Sequence, residues 1–241
     1  MTDARLAAHR AAWPAKPALR AVYQDLYRRI AEALPEGRVL EVGGGSGRLK
    51  GWLPTIVATD ILPAPWLDVV ADAHRLPFRD GCFAAIVMVD VMHHLAAPGA
   101  FLAEACRVLI PGGRIIMVEP AITPLSRVAF ALAHPEPVDM DEDPFAAAPP
   151  PRPRDAFAAN QALPSLIVGR HRARLAERVP GLAVATVRYF SLFAYPLSGG
   201  YRRWSLIPGA WAPALLRLEA RLEPWLGPLL GFRLFAVIER R

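Results

Sequence analysis

Only two lysines, Lys16 and Lys50, occur in the chain of 241 residues, so its formal charge of +6 rests on arginine. No arginine run is interleaved with aromatic residues, and no recognised nucleic-acid motif is present, which argues against a nucleic-acid partner. Cysteine is almost as scarce. Cys82 and Cys106 sit in apolar segments and fit neither a zinc spacing nor a disulfide framework, as expected of buried thiols in a reducing compartment. The first residues lack the apolar stretch of a signal peptide, so a cytoplasmic location is expected. No run of about 18 apolar residues lacks a charge or proline, which excludes a readily legible membrane span. Internal repeats are missing as well.

What the chain has in abundance is core material, with 54% hydrophobic residues. Its length suits one α/β domain with insertions. Residues 3–12 and 18–34 read as helices, the second with Leu19, Val22, Tyr23, Leu26, Tyr27 and Ile30 at helical spacing. Strands are expected at 38–42, 56–60, 67–70, 83–89, 114–119, 182–190 and 233–239, and helices at 46–52, 98–109 and 166–178. Residues 83–89 form the continuous apolar run of a strand buried on both faces. Alternating strands and helices imply a doubly wound, mostly parallel sheet. Residues 121–165 are proline-rich with an acidic stretch and read as a lid or cap, for which ordering of 135–154 over a ligand is expected. The resulting divisions are N-terminal helices (1–35), a nucleotide-binding core (36–120), a cap insertion (121–180) and C-terminal strands with an aromatic-rich helical insertion (181–241), in one overall domain.

The most informative segment is Val-Leu-Glu-Val-Gly-Gly-Gly-Ser-Gly-Arg-Leu, 39–49, a short strand entering a glycine loop. Glycine lets the backbone approach a ligand without a Cβ in the way, and such loops bind nucleotide-like cofactors at strand carboxyl ends. The dinucleotide pattern G-x-G-x-x-G would need glycine where Arg48 stands. The spacing is instead E-x-G-x-G-x-G, which resembles motif I of the class I S-adenosylmethionine (SAM)-dependent methyltransferases. Further segments match that family in order. Asp60 closes the second strand, 19 residues after Glu41; Ala71-Asp72-Ala73 follows the third; Val89 to Leu95 resembles motif IV; and 107–119 resembles the ubiquinone-biosynthesis-like, methyltransferase type 11 branch.

The resemblance implies a Rossmann-like seven-stranded fold with cap insertions, SAM as cofactor and S-adenosylhomocysteine as product. It also implies site roles. Glu41 contacts the methionine amino group, Gly43, Gly44, Gly45 and Gly47 form the loop, Asp60 with Ile61 holds the ribose, and Asp72 with Ala73 reads the adenine. Asp90 either borders the methyl group or caps its strand. In-line methyl transfer needs mainly positioning in a dry pocket, and a base only where the acceptor loses a proton. His94 and His93 are the local candidates for that base, with His134 on the insertion as a third. Asp90-x-x-His93-His94 resembles the E-x-x-E-H metal motif of some relatives, but histidine replaces the second carboxylate, and no metal is expected.

Acceptor specificity in this family lies after strand five and between the last two strands. There Trp211, Leu215, Leu218, Leu222, Trp225 and Leu229 share one helix face, opposite Arg217, Glu219, Arg221 and Glu223. This face is expected to pack on the sheet; the functional readings are an apolar acceptor pocket or a membrane-surface helix with peripheral membrane contact. Both functional readings favour a small lipophilic acceptor such as a quinone, a lipid or an aromatic secondary metabolite. Two rival functions remain: an NAD(P)-binding oxidoreductase, disfavoured by Arg48 and by the lack of a Tyr-x-x-x-Lys pair, and a SAM-binding chain with other chemistry or a regulatory role. The oligomeric state is left open.

Overall fold

The computed structural model describes residues 3–133, 135–146 and 155–241. Its strands are β1 (Val39–Val42), β2 (Val57–Asp60), β3 (Val69–Val70), β4 (Phe83–Val89), β5 (Leu109–Pro120), β6 (Leu182–Phe190) and β7 (Arg233–Arg240). They make one sheet in the order β3-β2-β1-β4-β5-β7-β6. β1 to β5 run parallel, and β7 inserts antiparallel between β5 and β6. The chain runs outward from β1 through β2 and β3, then returns to β4 on the other side of β1. That reversal opens a crevice at the carboxyl ends of β1 and β4, where ligands bind in sheets of this kind.

Side chains alternate across the sheet because successive strand residues point to opposite faces. One face carries Val39, Ala85, Val87, Ile116 and Val118 against helix α2 (Pro17–Ala33). The other carries Leu40, Ile86, Met88, Ile115 and Met117 against helix α4 (Pro98–Val108). Seven residues of α2 are buried, among them Leu19, Tyr23, Leu26 and Ile30 at the spacing the sequence showed. Fully burying each aliphatic member of this core contributes about 1.5–3 kcal/mol before entropy is counted.

Several elements depart from expectation. Strand β5 starts at Leu109 and passes through Pro111-Gly112-Gly113, where a turn was expected; the register shifts between Phe83 and Ala85, so the glycines form a bulge within the strand. The helix expected at 166–178 is two, α6 (Leu163–Val168) and α7 (Arg172–Arg178), broken at Gly169. Within the supposed lid lies helix α5 (Pro124–Ala133), begun by a Thr123–Ser126 reciprocal hydrogen-bond pair and by proline in its first turn. The rest of the anticipated lid includes 147–154, which lie outside the described residues.

Helix α9 (Ala212–Leu230) exists where the aromatic stripe predicted it, but rotated so that Leu215 and Leu222 of the stripe are half-buried and the rest is exposed. Trp211, Leu218, Trp225 and Leu229 face outward, and the buried positions are Ala212, Glu219 and Gly227. Two contacts dictate this. The Glu219 carboxylate accepts the backbone N–H groups of Phe193 and Ala194, at 2.6 Å for Ala194. At Gly227 a Cβ would stand 2.3 Å from the Tyr189 carbonyl oxygen of β6, so only glycine permits so close an approach.

Candidate functional site

A cavity of about 1760 Å³ occupies the crevice at the strand carboxyl ends. Ligand pockets commonly run about 300–1,000 Å³, so there is room for two molecules side by side. The glycine loop after β1 forms one end. Gly44 N–H donates to the Thr59 carbonyl of β2, and Gly45 N–H donates to Asp60 Oδ2 at 2.8 Å. The Leu62 N–H donates to Asp60 Oδ1 at 2.9 Å. Asp60 is thus clamped at the strand end, while each of its oxygens retains a lone pair for a ligand hydroxyl.

Glu41, on β1, lines the same end and is buried. Its Oε2 has no hydrogen-bond partner. Burial, with the charge of Asp60 adding, pushes this carboxyl up to about 8. A buried acceptor without a donor is costly unless something supplies one, and the group best suited to a carboxylate in a dry pocket is a cation. A buried carboxylate lining the cavity at this point fits the amino group of SAM. Further along, Asp72 and Ala73 line the wall, and Asp72 Oδ1 accepts both the His74 backbone N–H, at 2.9 Å, and its ring Nδ1–H, at 2.6 Å. Ile61 is exposed beside them, as a residue covering a flat ring would be.

Gly43, Gly44 and Gly45 line the cavity; Gly47 does not. Gly47 has φ of 70° at the start of helix α3 (Arg48–Trp52), and a Cβ there would lie 2.4 Å from the Trp66 ring. Trp66 in turn donates its indole N–H to the Gly45 carbonyl at 2.8 Å. The third glycine of the motif serves the packing of that indole.

Another part of the cavity wall, beyond β4, is built from distant parts of the chain. Asp90, with φ of 59°, follows β4. Its carboxylate accepts two hydrogen bonds from Arg233 of β7, at 2.6 and 2.9 Å, and faces the Tyr23 hydroxyl at 3.4 Å. Burial opposes its ionisation, but Arg233, with His93 and His94 adding, holds the carboxyl below its usual range. The short 3-10 turn at Met92–His94 that follows has Val91 at its N-cap and no side-chain cap.

His93 and His94 occupy that turn with ring centroids 4.0 Å apart. Glu119, at the end of β5 and fully buried, accepts the Val91 and Met92 N–H groups on Oε1 and contacts His93 Nδ1 at 2.7 Å on Oε2. A carboxylate can only accept, so Nδ1 carries the hydrogen and Nε2 is the basic nitrogen. Nε2 stands 3.9 Å from Glu136. Burial disfavours the charged His93 ring, yet Glu119, Asp90 and Glu136 together raise its pKa. His94 goes the other way, lowered by burial and by the charge of His93. His134 lies outside the described residues. Among the described residues, no three His, Cys, Asp or Glu side chains converge as a metal site.

Several lining residues were missed from the sequence. Leu6 and His9, from helix α1 (Ala4–Ala12), close over the glycine loop, with His9 stacked on Tyr201 at 4.4 Å. Arg5 binds Asp155 in two hydrogen bonds and covers the Phe157 ring at 3.7 Å. Tyr23, Tyr195, Phe130 and Phe232 add aromatic wall. The only available signal was their residue type, since none lies in a motif.

A doubly wound sheet with a glycine loop after β1, an acid ending β2 and a crevice at the switch point defines the class. Residues 40–117 match the family described as methyltransferase domain, and this segment is a class I, SAM-dependent methyltransferase core. A demethylmenaquinone methyltransferase of Symbiobacterium thermophilum is 34% identical over 40% of this chain and 38% of its own length. The ubiquinone/menaquinone biosynthesis C-methyltransferase of Chromobacterium violaceum is 30% identical over 34% of this chain and 42% of its own. The chain thus spans less than half the length of these curated relatives. A crystal structure of a SAM-dependent methyltransferase from Thermotoga maritima superposes with a TM-score of 0.57 over 93% of this chain and 92% of that one, at 16% identity. That likeness extends the fold assignment beyond the matched segment.

Proposed function

We propose that the protein is a SAM-dependent methyltransferase acting on a small lipophilic acceptor. The observation that carries this reading is Glu41: a buried carboxylate that lines the cavity beside the glycine loop and has one oxygen, Oε2, without a partner. When bound, SAM supplies an electrophilic methyl group on a sulfonium. Glu41 receives the ammonium, Asp60 the ribose hydroxyls, and Asp72 with Ala73 the adenine. The cavity wall beyond β4 supplies aromatic surface and internally paired charges, which suits an apolar acceptor. The two quinone-biosynthesis methyltransferases above support that acceptor class by their names.

Within this reading His93 is the base. Glu119 fixes its tautomer, leaving Nε2 to take the proton of an acceptor hydroxyl or activated C–H. Because its pKa is raised, His93 becomes competent only as pH climbs past the ordinary histidine range. Activity of the wild type should therefore rise with pH there, and His93→Gln should lose that limb, a fall of about 10²–10⁴ in kcat.

Calorimetry with SAM and S-adenosylhomocysteine tests the cofactor reading. Micromolar binding that weakens in Glu41→Gln and Asp60→Ala supports it. A folded wild type that binds neither, or that binds reduced nicotinamide instead, overturns it.

A further inference from the structure

Helices α5 and α9 pack against each other and each leaves an apolar stripe uncovered. On α5 the stripe is Leu125, Val128 and Leu132, spaced three and four apart, and the only buried residue of that helix is Ser126. On α9 it is Leu218, Trp225 and Leu229, joined by Trp211 at the helix N-cap, with Trp225 80% and Leu132 82% exposed. Isolated exposed apolar residues are ordinary, but seven on two adjoining helices mark an interaction surface.

Charge says what covers it. Helix α5 has no acidic residue, and the two of α9 are consumed: Glu219 is buried on backbone N–H groups and Glu223 is paired with Arg29 at 2.8 Å. Arg127, Arg217 and Arg221 are exposed on the same helices and form no ion pair among the described residues. The face is therefore apolar and purely cationic, with two tryptophans, a composition suited to the headgroup region of an anionic membrane. A second copy fits less well. A two-fold contact would bring like arginines together with no acid on that face to meet them. No described helix is long and apolar enough to cross a bilayer.

We propose that the α5–α9 face is a docking surface for an anionic lipid bilayer, on which the two helices lie flat with Trp211 and Trp225 in the headgroup layer. The inner side of α5 carries Ala129 and Phe130, which line the cavity. One helix thus separates membrane from pocket.

Co-sedimentation with vesicles tests this without any cofactor, so its result is independent of the proposed activity. The comparison is phosphatidylcholine mixed with phosphatidylglycerol against phosphatidylcholine alone. The expected result is about tenfold or tighter binding to the anionic vesicles, weakened by salt, with a blue shift of tryptophan emission. Arg217→Glu/Arg221→Glu and, separately, Leu132→Glu/Trp225→Glu should each lose about tenfold or more, with circular dichroism unchanged. Equal sedimentation with both vesicle types, or no loss in either variant, overturns the proposal. So does a wild type that ignores vesicles but is dimeric by ultracentrifugation, with the same variants monomeric.

Discussion

At the glycine-loop end of the cavity, Glu41 is buried with one oxygen unpartnered. On the wall beyond β4, Asp90 and Arg233 hold each other in two hydrogen bonds, and His93 and Glu119 form a second internal pair. Both regions bury ionisable groups, but only one leaves a carboxyl oxygen without a partner. The first is arranged to receive a charge from outside. The second completes its own electrostatics, and what it offers a visitor is shape, aromatic surface and the imidazoles of His93 and His94.

The sharpest way to break this contrast is to unpair the wall beyond β4. Arg233→Met should destabilise the fold by about 3 kcal/mol, since it strands the Asp90 charge where Arg233 was buried. Adding Asp90→Asn should recover much of that in chemical denaturation. Next comes Glu41→Gln, expected to weaken SAM binding by about 2 kcal/mol, roughly thirtyfold, without loss of stability. If both regions behaved alike, Glu41→Gln would unfold the protein as readily as Arg233→Met. Asp60→Ala should cost about tenfold in affinity, because its carboxylate is only half-buried and the Gly45 and Leu62 N–H groups can turn to water.

A smaller effect sharpens the picture through pH. With its carboxyl pushed to about 8, Glu41 holds a proton at neutrality in the free protein. The native state then binds more protons than the unfolded one between the ordinary value of 4.5 and about 8, so its contribution to stability falls as pH rises through that window. Binding an ammonium group requires the ionised form. Affinity should therefore climb from pH 6 toward 8, with uptake of SAM releasing close to one proton. Titrations in two buffers of different ionisation heat measure that release, and Glu41→Gln should abolish it.

The two regions also differ in how readily the sequence revealed them. Glu41, Gly43, Gly45, Asp60 and Asp72 each stand at or just beyond a strand's carboxyl end, so a parallel sheet brings them together by regular spacing alone. Asp90 meets Arg233 across 143 positions, and Tyr23 and Tyr201 come from opposite ends of the chain. Such pairs depend on how β7 threads between β5 and β6, and no local pattern encodes that. Helix α9 teaches a related lesson. Its periodicity was legible, but its orientation was not, because a glycine and a buried glutamate, rather than the apolar stripe, decide which side meets the sheet.

Helix α1 lies across the glycine loop, tied down by the exposed Arg5–Asp155 pair and by Arg10 on the Ser46 carbonyl. Leu6 and His9 of that helix line the cavity, so movement of the helix would open that end further. The latch is made of solvent-facing charge, which dissolved ions weaken at distances beyond about 8 Å and loosen at contact. Departure of the spent nucleoside should therefore quicken with ionic strength even where its affinity changes little, and the step that paces turnover would then be a door swinging rather than a bond forming.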